Sequence, residues 1–395
     1  MRLPRLLLLT TLFLLLTSFA MADTTITITF TGDITLGGED RTANEPTSFA
    51  SVYKEKGQDY FLANFKDFFA EDDLTVANLE GVLANEGQKS REKKNYFFRG
   101  DTEYVSILKN ASIDAVSLAN NHIGDYGEFG LNETIRTLDD AGIQWFGTRN
   151  YNQTPSEKFL FYEKDGVTIC LMSLYWTDYF NADNTSAHGY FLSQEIQRIK
   201  AEGEADAIIA ILHGGQEYGR HRTRPQQVFT KMAFKAGADL VICHHAHVVL
   251  GMDVIDNRSA VYSLGNFCFG GNKNAYQKTS KRVQDAAPAL IVRAVLTFDD
   301  EGNYKGQQLT LYPVQTTSVD RNGGAEQPND YQPKFVTGPL AAQVFNLMQV
   351  DMYYDLKDKV NKELKQIVAN KQAELQAMES SVGMTCLTLP YLPAE

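Results

Sequence analysis

A chain of 395 residues, 43% of them hydrophobic and four of them cysteine, can bury a substantial core and is not a disulfide scaffold. Its formal net charge of −12 argues against nucleic acid, or an anionic membrane surface, as the main partner. An anionic substrate is not excluded, because a bound metal reverses the field locally.

The chain opens Met1-Arg2-Leu3-Pro4-Arg5, continues with the apolar run Leu6 to Leu16 and reaches Ala20-Met21-Ala22. A positive start, an apolar centre and an A-x-A site read as a secretory signal peptide over residues 1–22. Export to the periplasm or cell surface is therefore expected. An uncleaved N-terminal membrane anchor is the alternative, although a spanning helix needs ~20 apolar residues.

Thr24 to Thr31 alternates with period two and predicts a first strand, which ends in Gly32-Asp33-Ile34-Thr35. Residues from about Gln58 to Ala70 predict a helix with Phe61, Phe65, Phe68 and Phe69 on one face. Leu74 to Gly81 is a second strand carrying Asn78 and Glu80 near its end. The basic, aromatic stretch Lys89 to Arg99 is either a solvated face or a patch for an anionic substrate at the mouth of a site. Tyr104 to Lys109 reads as helical, and Asp114 to Ala119 is a third strand ending in Asn120-Asn121-His122-Ile123-Gly124-Asp125. An amphipathic helix follows over Glu128 to Ala141, stopped by Gly142, and Ile143 to Gly147 completes a βαβ unit.

Phe159 to Tyr175 reads as a hairpin around Lys164-Asp165-Gly166, and Phe191 to Ala201 as a helix. Asp206 to Leu212 is a buried strand ending in His213-Gly214-Gly215-Gln216-Glu217. A helix from about Pro225 to Ala236 leads into the apolar strand Leu240 to Cys243, which empties into His244-His245-Ala246-His247. A further apolar run, Ala260 to Leu264, ends in Gly265-Asn266-Phe267. Gly270 to Asp285 is expected to be a loop, and Ala289 to Phe298 with Gln307 to Val314 an antiparallel pair. The Gly- and Pro-containing segment 317–337 separates a main domain, 23–316, from a C-terminal helical region, 338–395, as a linker or long loop.

Parallel strands place their carboxyl ends on one rim, so Asp33, Glu80, Asn121, His122, His213, His245 and His247 are expected to converge. Each has a plainer reading alone: Asp33 as a turn or helix cap, Asn121-His122 as a cap pair, the histidine cluster as core. Together they make a mixed oxygen and nitrogen shell suited to Mn, Fe or Zn. A carboxylate bridging two ions roughly 3.5–4 Å apart would activate water and hold an anionic leaving group.

The blocks GDITLGG, ANLEG, LANNHIGDYGEFG, LHGGQEYG and ICHHAHVVLG…YSLGNF resemble, in order, those of the CapA family over about Thr24 to Phe298. These are poly-γ-glutamate capsule-synthesis proteins with a metallophosphatase-like (calcineurin-like) fold. The resemblance implies an α/β protein: a calcineurin-like β-sandwich flanked by helices, with a C-terminal helical appendage. It implies metal ligation by Asp33, Glu80 (at the bridging position), Asn121, His213, His245 and His247, for one or two divalent ions. His122 and Asp125 are the expected catalytic residues, His122 assisting proton transfer, and Asn78, Asn120 and Asn266 are expected to bind substrate. Thr35 stands where metallophosphatases carry the histidine of an Asp-x-His pair. The half-site of Asp33, Glu80 and His247 is therefore expected to be weak unless Glu39 or Asp125 is recruited.

The function so implied is that of an exported protein acting in synthesis, export or attachment of an anionic polymer of the poly-γ-glutamate type. Its chemistry would be metal-dependent hydrolysis of a phosphoester or amide, its partners membrane-bound capsule synthase components. The alternatives are a general periplasmic metallophosphoesterase and a non-catalytic polymer-binding module. No Walker-type loop is present in the sequence, so ATP-driven ligation by this chain alone is not expected.

Overall fold

The computed structural model describes residues 23–90, 94–147, 159–176, 182–275, 286–320, 327–353, 361–378 and 383–394. The expected signal peptide, and residues 276–285 of the expected loop, lie outside them. No helix among the described residues is long and apolar enough to cross a membrane.

Two sheets stack face to face. The larger runs Lys334–Phe335, Tyr304–Gln315, Pro288–Phe298, Thr24–Thr35, Leu74–Leu79, Ala115–Ser117 and Gln144–Phe146, with Asn266–Phe269 pairing beside Thr24–Thr35. The second runs Met252–Ile255, Arg258–Val261, Leu240–His244, Ala207–His213, Val167–Tyr175 and Phe159–Lys164. The period of two along each strand sets the layers. Ile209, Ile211, Leu240 and Ile242 face inward and meet Ile26, Ile28, Phe30 and Val292 of the larger sheet. Their neighbours Ile208, Ala210, Leu212 and Val241 face outward under the helices Ala182–Glu202 and Arg224–Ala236. Apolar residues thus occupy both faces, as strands buried on both sides require. Cys170, Cys243 and Cys268 are buried free thiols within these layers.

The helix Arg224–Ala236 begins with a capping box between Thr223 and Gln226 and stops at Gly237 in a left-handed conformation. Gly127–Ala141 likewise ends at left-handed Gly142. Three local expectations change. Of the stretch from Gln58 to Ala70 only Lys66–Phe69 is helical, the rest being turns. Its aromatic residues are buried all the same, Phe61 stacking 4.4 Å from Phe49 of the preceding helix Phe49–Lys56. Mutual ring packing, not helical periodicity, put those phenylalanines on one side. The run from Ala260 to Leu264 leaves the sheet after Val261, while Met252–Ile255 supplies an edge strand that sequence reading did not anticipate.

Of the expected linker, residues 327–337 are docked on the main body: Tyr331 is fully buried and its hydroxyl donates to Thr47 O at 2.8 Å. The C-terminal helices Gly338–Met352 and Lys362–Gln376 add Ala341, Val344, Phe345, Met348, Val368 and Leu375 to the core that the two sheets share.

Candidate metal centre

The parallel strands bring their carboxyl ends to one place. Asp33 lies beside Asn78 on one neighbour and Asn266 on the other, and His213 is in register with His244. At Gly32 a Cβ would sit 2.3 Å from Gly265 O, so only glycine lets the first strand close on the 265 turn. Asp33 then reaches across to the second sheet. Its Oδ1 lies 2.9 Å from His244 Nδ1, and its Oδ2 accepts the His245 N–H at 3.3 Å. His245 and His247 both have left-handed backbones, φ +89° and +56°, which turn their two imidazoles toward the same point. Such geometry costs of order 1–3 kcal/mol per residue and persists where the surroundings hold it.

Glu80 is the centre of the arrangement. Its side chain is fully buried, and neither carboxylate oxygen has a hydrogen-bond partner among the described residues. The Nε2 atoms of His213, His247 and His122 stand 3.6, 3.8 and 4.0 Å from its Oε1. Those distances are too long for hydrogen bonds, yet they match the roughly 3–4 Å between atoms that share one ion at about 2.0–2.2 Å. An unpaired buried carboxylate costs several kcal/mol. A divalent cation among these atoms removes the penalty, so the residues present fit a metal.

Two sets of ligand atoms, Glu80 with His213 and His245, and Asp33 with Glu80 and His247, each lie within 4.8 Å of one another. The Asn121 amide oxygen, 2.8 Å from His213 Nε2, joins the first set. Such an oxygen and imidazole shell suits a divalent transition metal.

The charges of these groups act strongly on one another. Burial pushes the Glu80 carboxyl well above its usual range, and the Asp33 and Glu217 charges add to this while His247 opposes it. Burial resists protonation of His247, but Glu80 and Asp33 outweigh it and raise the imidazole well above its ordinary value. Burial also works against Asp33, which His244 and His247 nevertheless hold well below the carboxylate range. Burial and the neighbouring His245 push His213 well down, leaving the neutral imidazole a metal ligand must be.

On one side of Glu80, His122 Nδ1 lies 2.8 Å from Asp125 Oδ2, which also accepts the Phe98 N–H at 2.5 Å. The other Asp125 oxygen pairs with Lys94. Burial lowers the His122 pKa and Asp125 opposes the shift. The Phe98 ring tilts over the imidazole at 4.3 Å. The outer edge of the centre opens into a cavity of about 750 Å3 whose walls include His122, His247, Glu217, Tyr218, Arg41 and Arg99. Tyr96 and Arg99 bring one end of the basic, aromatic stretch to this wall; residues 91–93 lie outside the described residues.

The three asparagines expected to bind substrate are buried inside the scaffold, and none lines that cavity. Asn78 donates to Asp33 Oδ1 at 2.8 Å and lies 3.3 Å from His213 Nδ1. Asn120 donates to Leu79 O and, through its own oxygen, accepts the N–H groups of His122 and Ile123. Asn266 Oδ1 stands 2.8 Å from His247 Nδ1. Their side chains hold neighbouring residues of the centre in place: Asn78 and Asn266 stand against imidazoles, and Asn120 against the turn that begins at His122. Nor do Glu39 and Asp125 replace the missing histidine: Glu39 is paired with Arg41 and both Asp125 oxygens are taken. The Thr35 hydroxyl donates to Glu80 O at 2.8 Å, away from any ligand role. Sequence reasoning missed His244 and Glu217 as members of the site, and put Lys94 only within a basic stretch at its mouth. His244 and Glu217 adjoin motif residues in the chain, whereas Lys94 meets Asp125 only through folding.

The chain is similar to the Capsule biosynthesis protein CapA of Bacillus anthracis, 29% identical over 257 residues that make up 62% of this chain and 60% of that protein. It is similar to the PGA biosynthesis protein CapA of Bacillus subtilis (strain 168), 27% identical over 262 residues, 63% of this chain and 64% of that one. The chain thus spans about six tenths of the length of these relatives. A solved structure of a hypothetical protein from Thermus thermophilus aligns with 73% of this chain and 99% of its own at 15% identity, TM-score 0.42. The match to a family model runs over residues 27–271, from the first strand past the His245 and His247 turn, and the chain belongs to the bacterial capsule synthesis protein PGA_cap family.

Proposed function

We propose that this protein acts in the synthesis, export or attachment of an anionic capsule polymer of the poly-γ-glutamate type, as a metal-dependent hydrolase exported through its N-terminal leader. The observation that carries the hydrolytic part is Glu80, a fully buried carboxylate without a hydrogen-bond donor, faced by three imidazole Nε2 atoms. The names of its Bacillus relatives support the capsule context. A divalent ion held by Glu80, His213, His245 and Asn121 would supply Lewis acidity and an activated water. His122, on the cavity wall with Asp125 and Lys94 behind it, is placed to pass a proton to a leaving group. Arg41, Arg99 and Lys273 stand on the same wall with Asp40 and Glu45, which suits a chain bearing both amides and carboxylates.

The test is metal content of the purified protein after exchange with Mn, Fe and Zn, wild type beside His245→Ala. Stoichiometric metal in the wild type, lost in the variant, is the expected result and directs substrate screens to γ-glutamyl polymers and phosphoesters. No metal in a folded wild type refutes the hydrolase and leaves a polymer-binding component of an export assembly.

A further inference from the structure

We infer that Glu217 is a metal ligand, closing the centre from the cavity side together with His245 and His247 and filling the role that Thr35 leaves vacant. This rests on the metal-centre reading above.

The ligand atoms of Glu217, His245 and His247 lie within 4.8 Å of one another, a third set that shares His245 with the Glu80 and His213 set and His247 with the Asp33 set. Glu217 stands exposed on the cavity wall, while the two imidazoles it faces are buried. The loop that carries it is firmly placed. A Cβ on Gly214 would meet the Trp176 ring at 2.4 Å, and one on Gly215 would meet the Gln226 side chain at 2.8 Å. The Tyr218 N–H donates to Ala246 O at 2.7 Å, inside the His-x-His turn itself, and the Tyr218 ring lies 5.5 Å from that of His247. Residues 214–218 and 245–247 are therefore one unit, which holds the Glu217 carboxylate over both imidazoles.

Charge supports the assignment. Asp33 and Glu80 alone leave two divalent ions with an excess of two positive charges, and Glu217 reduces that excess to one. A carboxylate at the exposed edge of the centre also can yield its position to an incoming anionic group, which a buried one cannot.

The test is calorimetric titration of the metal-stripped full chain with Mn2+ alone, for wild type, Glu217→Gln, Glu80→Gln and Glu39→Gln, with a thermal melt to establish folding of each. Losing a partner that only orients a ligand already weakens metal affinity about 10–100-fold, so a lost ligand should weaken it by about tenfold or more. The expected result is weakening of at least tenfold for one bound ion in Glu217→Gln, with Glu39→Gln, which removes one charge from the same cavity wall, like the wild type. Equal binding by wild type and Glu217→Gln overturns this inference and leaves the metal centre standing. Equal weakening by Glu217→Gln and Glu39→Gln also overturns it, since charge alone would then account for the effect. No binding by the wild type overturns both.

Discussion

Asp351, near the end of the helix Gly338–Met352, ties the C-terminal region to Arg222 and Gly251 of the main body. Its side chain is fully buried. Oδ1 accepts the Arg222 N–H at 2.6 Å, and Oδ2 accepts Arg222 Nε–H at 2.8 Å and Gly251 N–H at 2.9 Å. Arg222 Nη2 lies 2.7 Å away, while its Nη1 pairs with Asp253 at 2.5 Å and its guanidinium stacks on Tyr262 at 4.0 Å. Asp351→Ala leaves two buried N–H groups unpaired, each costing about 1–3 kcal/mol. It also halves the pairing of a buried guanidinium, where breaking a pair outright costs about 3–5 kcal/mol. These terms overlap, and Asp253 retains one arm, so the net loss should be about 4 kcal/mol. For a chain this long that corresponds to a fall in Tm of roughly 5 °C. Urea unfolding followed by circular dichroism measures it, with Asp351→Asn, which keeps an acceptor oxygen, expected to lose about half as much. A loss below about 1 kcal/mol at unchanged m-value would refute the idea that this helix is clamped to the core.

Two further predictions concern buried carboxylates. Glu80→Gln should raise the thermal stability of the metal-free protein by about 1–3 kcal/mol, because it removes a buried charge without a donor. The same change should abolish any Tm increase caused by added Mn2+ or Zn2+. A melt of the apo variant at or below the wild type would count against Glu80 as the uncompensated group. Asp72 is raised to about 6, by burial foremost, with hydrogen bonds from Thr29 and Thr75 and the Arg293 charge opposing. Its folded pKa exceeds the unfolded one, so its contribution to stability is full below about pH 4 and is lost as pH rises through about 6. Asp72→Asn should flatten the stability profile between those values and add about 1–2 kcal/mol at pH 7, after discounting partial exposure. An unchanged slope over that window would show that another group titrates there.

Much of the site was legible because its signals are local. Apolar runs such as Asp206 to Leu212 and Leu240 to Cys243 state a strand through side-chain period and β-branching, and the polar residues after each mark a strand end. From parallel strands the convergence of Asp33, Glu80, His213 and His245 follows by topology, before any distance is known. Local signals also misled: the phenylalanines between Gln58 and Ala70 are spaced like a helix face, yet ring stacking against Phe49 holds an irregular chain there. Only the tertiary structure decided what each polar residue does. Asn78, Asn120 and Asn266 sit in the motif blocks, and a motif does not distinguish a residue that lines a cavity from one buried against its neighbours. The partners that settle this, such as Asp33 with His244 or Lys94 with Asp125, are set by how two sheets and their loops stack. Contacts between residues 33 and 244, or 222 and 351, belong to the packing of layers, and no period or spacing along the chain encodes them.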